Sequence, residues 1–413
     1  MTEAAVRLPG AARHEHRIVA SISAAHFVSH YYILLLPPLF LFVRDEYQVS
    51  YTELGLALTA FNVVSAVLQT PAGFLIDRVG PRIILIAGLL IGAAAFAIAG
   101  LVNSFWVLVA MFGVAGIGNT VYHPADYAIL SERVSAERIG QAFSVHTFAG
   151  LLGGAVAPIS LLTMQSLFGW RGAFLGAAAL GFVVAALLLV QRNPDGDAAH
   201  AATKAKKTAE GSSASDWRLL MAPAIIINLL FFILLAVSNA GLNNYTVVAL
   251  EALYGTTPVI ANAALSALLF MSALGVLAGG MLVGRTSRHA LVACVGLTVT
   301  AVASALVGAV DLWPAVLCVV MGVGGFFIGL IMPSRDMIVR EITPPGAFGR
   351  VFGFVTTGFN IGGMVAPVMF GLMMDHGQPA AIFWSVAACS VLSVVFVVAG
   401  SRSTARMDAA PRT

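Results

Sequence analysis

The sequence predicts an all-α integral membrane protein, with twelve transmembrane helices arranged as two pseudo-symmetric six-helix halves. Three observations predict it. Hydrophobic residues make up 59% of the chain and charged residues 10%, where an ordinary globular domain carries about 25% charged residues. The charges are also kept out of long windows: residues 18–43, 54–76 and 83–125 contain no Asp, Glu, Lys or Arg. Finally, the second half of the chain repeats the first at a fixed offset.

A helix needs about 20 apolar residues to cross a hydrocarbon core of roughly 30 Å. The first two windows each supply one crossing. The third is too long for one, and Val102-Asn103-Ser104 divides it, with Trp106 as an interfacial anchor. The same test places further spans at 139–167, 172–190, 219–247, 259–283, 290–310, 313–334, 351–374 and 377–400. Runs this long do not suit barrel strands of about 10 residues, and a helix is the other structure that satisfies its own backbone inside a bilayer. The first window is too long for a signal peptide and lacks a small-residue cleavage site, so it reads as a retained first helix.

Lysine and arginine set the orientation. With the N-terminus in the cytoplasm, 20 of the 22 basic residues fall on that side, and only Arg44 and Arg171 on the other. The positive-inside rule then makes both termini cytoplasmic, and a bacterial-type inner membrane is the expected location. The net charge of +3 follows from this bias and gives no sign of a nucleic-acid partner. Cys294, Cys318 and Cys389 sit singly inside spans, without pairing or ligand spacing, and read as packing residues.

The longest hydrophilic stretch, 192–218, carries Pro194, Gly196, three lysines and a Ser-rich piece, and reads as a cytoplasmic linker. It separates an N-terminal half, 1–191, from a C-terminal half, 219–413, with a short tail. Shifted by 209 residues, 113–158 lies over 322–367 without a gap. Gly113 meets Gly322, Pro124 meets Pro333, Glu132 meets Glu341, and Gly153-Gly154 meets Gly362-Gly363. A duplicated six-helix unit places a substrate site where the halves meet, near the bilayer midplane. The glycine runs invite a nucleotide-loop reading, but they lie in apolar helices with no strand before them and no G-x-x-x-x-G-K-[ST] pattern.

Between spans two and three the chain reads Gly73-Phe74-Leu75-Ile76-Asp77-Arg78-Val79-Gly80-Pro81-Arg82. This resembles the loop signature of the major facilitator superfamily, G-x-L-x-D-R-x-G-R-[RK], with Pro81 at an arginine position. The resemblance covers essentially the whole chain and implies alternating access by rocking of the halves. Within the superfamily, His26-Phe27, the stretch from Ser50 to Gly55 and His123-Pro124 resemble the fosmidomycin-resistance-like branch, whose family-typical Asp in helix one is His30 here. Physically, a carboxylate at Asp77 can meet the N-terminus of span eleven together with Arg350. That contact is worth roughly 0.3–1 kcal/mol. Gly73, Asp77, Arg78, Gly80, Arg82 and Arg350 are therefore read as a gating loop.

Ionisable groups inside a membrane are costly and mark a pathway by default. His26 and His30 in span one, His123 in span four and His146 in span five all lie in the first half, and Asp126 is the acid inside a span. Their counterparts in the repeat are mostly apolar: Met332 for His123, Val355 for His146 and Ile328 for Asn119. Protonation chemistry is thus expected in the first half, with His30, His123 and Asp126 as carriers and His123 interacting with Asp126 one turn away. Asn119 shares that cavity. The second half supplies neutral hydrogen-bonding groups: Ser238, Asn239, Asn243 and Asn360.

The expected function is secondary active transport of a small organic molecule, coupled to protons. The alternatives are an uncoupled facilitator or uniporter, or a drug efflux pump of the same fold. No nucleophile–base pair suggests an enzyme, and no cofactor or metal is expected. The partners are the substrate, protons and lipid, and the chain is expected to be a monomer. Arg335 lies toward the cytoplasmic end of span ten, so a neutral, weakly acidic or zwitterionic substrate fits better than a phosphate ester.

Overall fold

The computed structural model describes residues 9–135, 137–191, 217–344 and 347–408. Most of the 192–218 linker falls outside them. The first span is broken: α1 (Pro9–Ile33) stops short of Pro37-Pro38, a single 3-10 turn follows, and α2 (Phe40–Tyr47) completes the crossing. Ser50 then caps α3 (Tyr51–Val79). Its hydroxyl accepts from the Glu53 N–H at 3.1 Å, and the Glu53 carboxylate accepts from the Ser50 N–H at 2.7 Å. Gly80, at φ 104°, ends α3 and leads straight into α4 (Pro81–Leu101), with proline at the first helical position.

The fourth span is also broken, into α5 (Phe105–Asn119) and α6 (Tyr122–Arg133). Spans five and six run through one 52-residue helical stretch, α7 (Ile139–Val190), which turns at Gly169 with φ 71°. A Cβ on Gly176 would lie 2.4 Å from the Met164 sulfur, so the two arms lie side by side. The C-terminal half is plainer: α8 (Pro223–Tyr254), α9 (Pro258–Val283), α10 (His289–Ala309), α11 (Pro314–Glu341), α12 (Phe348–Asp375) and α13 (Pro379–Asp408). Among the described residues, eleven stretches are long and apolar enough to cross a membrane. Counting the two arms of α7 separately makes twelve crossings, as expected.

The packing is pseudo-symmetric. In the first half α1 packs on α7, α3 on α5, and α4 on α7; in the second α8 packs on α12, α9 on α11, and α10 on α13. Among the described residues the halves meet chiefly through α3 with α12 and α7 with α9, and α8 also touches the 3-10 turn at Pro37–Leu39. One departure from symmetry bears on the site: α11 runs unbroken through Pro333, whereas its copy breaks just before Pro124. Proline alone therefore does not cause the break.

The α3–α12 seam is sealed at one end and spread at the other. At the sealed end a Cβ on Gly55 would lie 2.6 Å from the Pro367 carbonyl oxygen, and one on Gly371 2.7 Å from Thr52 Cα. Asn62 donates to the Gly363 carbonyl at 2.9 Å, Thr59 to that of Met364 at 3.0 Å, and Tyr245 of α8 to that of Pro367. Toward the other end of the same helices, a Cβ on Gly73 or on Gly353 would meet nothing within 4 Å among the described residues. A cavity of about 670 Å³ opens between α7 and α9, lined by Phe143, Thr147, Leu151, Val276, Gly280 and Pro333.

Candidate functional site

The chemistry collects on three helices of the first half. Glycines let them approach: a Cβ on Gly153 of α7 would lie 2.2 Å from the Phe27 carbonyl oxygen of α1, so these backbones are in contact. A Cβ on Gly150 would likewise fall 2.3 Å from His26 Cδ2 and 3.0 Å from His30 Cδ2. Both α1 imidazoles thus lie in space that the α7 glycine leaves free.

His26 is the hub. Its ring stacks on His146 at 4.0 Å between centroids, and meets the rings of His30 and His123 edge-on at 4.7 and 5.0 Å. Beneath it lies Asp126, fully buried, whose Oδ2 is 3.6 Å from His26 Nδ1 and 3.7 Å from His146 Nε2. The expected pairing of Asp126 with His123 is corrected accordingly. Residues three apart on a helix are turned about 60° from one another. Asp126 faces the packed interior while His123 faces open space.

Both carboxylate oxygens of Asp126, His26 Nδ1 and both ring nitrogens of His146 are buried without a hydrogen-bond partner among the described residues. Such groups are nearly always paired in folded proteins. Its way out runs through exposed groups. His123 is exposed, and Tyr127, also exposed, stands 6.2 Å from the His123 ring and 5.7 Å from the His146 ring, with Phe143 of the cavity wall at 5.1 Å. Tyr127 was not among the sequence candidates. Its position one turn beyond His123 is the signal that marks it.

Asn119 has a different task. Its Oδ1 accepts from Ser29 of α1 at 3.4 Å and its Nδ2 donates to Ser65 of α3 at 3.3 Å, tying the end of α5 to two neighbours. On the opposite half, Asn239, Asn243 and Asn360 are half-buried on α8 and α12, and Ser238 is buried beside Cys389. The Arg335 guanidinium of α11 packs over the rings of Phe232 and Phe359 at 4.7 and 5.1 Å, with Asp336 at 2.8 Å.

The loop residues are dispersed. Arg82 donates to the Leu188 carbonyl at 2.6 Å and to that of Gln191, closing the C-terminal end of α7. Gly80 makes the turn, and Asp77 and Arg78 are exposed at the end of α3. The Arg350 side chain lies outside the described residues. The arrangement expected of Asp77, a carboxylate seated on the N-terminus of the facing helix, is found at the other end of the seam. There Asp375, the last residue of α12, accepts from the backbone N–H groups of Tyr51 and Thr52 at 2.8 and 2.9 Å, and from the Thr52 hydroxyl.

Comparison with known proteins fits this architecture. The profile described as Major Facilitator Superfamily matches residues 22–257 and again 229–411. A probable sulfoacetate transporter, SauU of Cupriavidus necator, is 27% identical over 366 residues, covering 81% of each chain. The fosmidomycin resistance protein of Escherichia coli is 25% identical over 88% of each. A probable L-galactonate transporter of Escherichia coli is 31% identical over 143 residues, about a third of either chain. Among solved structures, the nucleoside transporter NupG superposes with a TM-score of 0.76 at 13% identity, covering 93% of this chain and 98% of that one. A bacterial homologue of the lysosomal transporter Spinster, inward-facing and occupied, gives 0.73 at 16%, covering 95% and 96%.

Proposed function

The chain belongs to the Major Facilitator Superfamily as a multi-pass membrane transporter, and on that premise we propose that it moves a small organic molecule by alternating access coupled to protons. The observation that carries this reading is Asp126, fully buried, its oxygens without a hydrogen-bond partner among the described residues and two imidazoles within 3.7 Å. An uncompensated charge in such a place is expensive, so a proton that binds and leaves is what the group can exchange. Histidine suits that exchange near neutral pH. His123, exposed at the edge of the cluster, passes the proton in, and His30 completes the chain.

The two-ended seam supports the rocking motion. With both termini cytoplasmic, as the basic residues argue, the Tyr51–Asp375 end faces outward and is shut, and the Gly73–Gly353 end faces the cytoplasm and is open. Moving the substrate across requires these to exchange roles. For the cargo, a weakly acidic or zwitterionic compound fits best. The relatives named for galactonate and sulfoacetate lie on the acidic side of that class. The work is binding and translocation, with no bond made or broken.

The test is uptake into proteoliposomes under an imposed pH gradient, with compounds first chosen by their thermal stabilisation of the purified protein. Uphill accumulation that a protonophore collapses supports coupling. Flux that only equilibrates, whatever the gradient, identifies an uncoupled facilitator.

A further inference from the structure

The geometry points to a second use of the histidine cluster: His26, His123 and His146 form a binding site for a first-row transition-metal dication of the zinc class. One nitrogen from each of the three rings lies within 4.8 Å of the other two. Zinc holds imidazole nitrogen at about 2.0–2.1 Å, which puts tetrahedral donors about 3.4 Å apart. The imidazole χ2 angle is broad, so small ring rotations close that gap. The rings come from α1, α6 and α7, which contact one another, so the three donors are fixed by packing rather than by a flexible loop.

Three further features favour a cation of this kind. Nδ1 of His26, both nitrogens of His146 and both oxygens of Asp126 are buried without a hydrogen-bond partner among the described residues, which leaves the cluster short of cations and donors. Asp126 stands against Nδ1 of His26 and Nε2 of His146, which leaves the other nitrogen of these two rings for a ligand. This is the carboxylate–histidine arrangement that orients metal-bound imidazoles. His123 is exposed, which supplies both an entry path and a coordination position open to an exchangeable ligand. Three nitrogen donors select zinc, cobalt, nickel or copper over magnesium and calcium, which take oxygen. The numbers 26, 123 and 146 carry no ligand spacing, so only the fold makes the site visible. The inference needs the cluster alone and does not rest on proton coupling.

Tag-free purified protein titrated with Co²⁺ tests it. The expected result is one equivalent per chain, visible d–d bands of tetrahedral intensity, and their loss on adding Zn²⁺. His123→Gln and His146→Gln should each weaken binding at least about tenfold, within the range that perturbing such sites costs. His376→Gln, at the far end of α12, should leave it unchanged. His123→Cys keeps a metal ligand and should bind with an added sulfur-to-cobalt absorption, which separates lost ligation from lost folding. X-ray absorption of the zinc-loaded parent should show at least three imidazoles. Absence of stoichiometric Co²⁺ uptake overturns the proposal, as does uptake unaffected by both glutamine variants or a zinc shell without imidazole. If Co²⁺ fails to bind while a pH gradient still drives accumulation, the metal site alone is lost and the transport reading stands.

Discussion

Asp375 at the end of α12 holds the first turn of α3 by accepting from the Thr52 N–H at 2.9 Å, and so joins the two halves of the chain at their sealed end. A carboxylate on a helix N-terminus is worth about 0.3–1 kcal/mol, rising to about 2 where it is partly buried. Asp375→Ala should therefore weaken the seal and raise the population open at that end about fivefold for each 1 kcal/mol lost. Spin-label distances between α3 and α12 at the sealed end read this directly. Unchanged distributions would reduce Asp375 to a local cap.

Asp77 sits at the opposite end of the same helix pair, and its substitution should act in the opposite sense. Asp77→Asn should favour the state spread at the Gly73 end without abolishing substrate binding, again by about fivefold for a loss of ~1 kcal/mol. Combined with Asp375→Ala, the two shifts should partly cancel. If the double variant resembles either single variant, the two carboxylates do not act on one equilibrium.

His123→Gln and His30→Gln should keep facilitated exchange and lose uphill accumulation under a pH gradient. Coupling depends on protonation, whereas exchange depends on the shape and hydrogen bonds of the cavity. Both rates can be read from one proteoliposome preparation. Accumulation at the parent level in both variants would make the histidines structural; loss of exchange with folding intact would make them substrate ligands.

The glycines separate packing from motion. Gly153→Val places atoms against the Phe27 backbone, where even a Cβ would lie 2.2 Å from the carbonyl oxygen. It should destabilise the protein by about 1–3 kcal/mol, the usual cost of overpacking, or more. Gly73→Ala meets open space and should leave thermal stability unchanged, yet slow exchange, because that space closes in the alternate state. Unaltered exchange in Gly73→Ala would argue that α3 and α12 do not come together there.

Orientation can be checked by labelling single cysteines in a background lacking Cys294, Cys318 and Cys389. Thr256→Cys should react from outside intact cells and Arg285→Cys only after permeabilisation. Reversed reactivity would invert the assignment of the sealed end.

The halves, the crossings and the membrane environment were legible in the sequence because lipid acts on contiguous windows. A segment that crosses must be apolar along its whole length, and a duplication leaves glycines over glycines and prolines over prolines. The break after Asn119 was not legible, since Pro333, the counterpart of Pro124, sits in an unbroken helix.

What the sequence determined by itself was therefore the fold class, the twelve crossings, the repeat, and the concentration of titratable residues in the first half. Each is a property of composition along the chain. The tertiary structure alone decided which of those residues meet. Spacing on one helix put His123 with Asp126, but the rotation of α6 turns Asp126 inward to His26 and His146, more than a hundred residues apart in the chain, and leaves His123 exposed. The same holds for Asp375 and Thr52, 323 positions apart. Side chains on different helices come together through helix rotation and close glycine contacts, and neither is recorded in the spacing of the residues themselves.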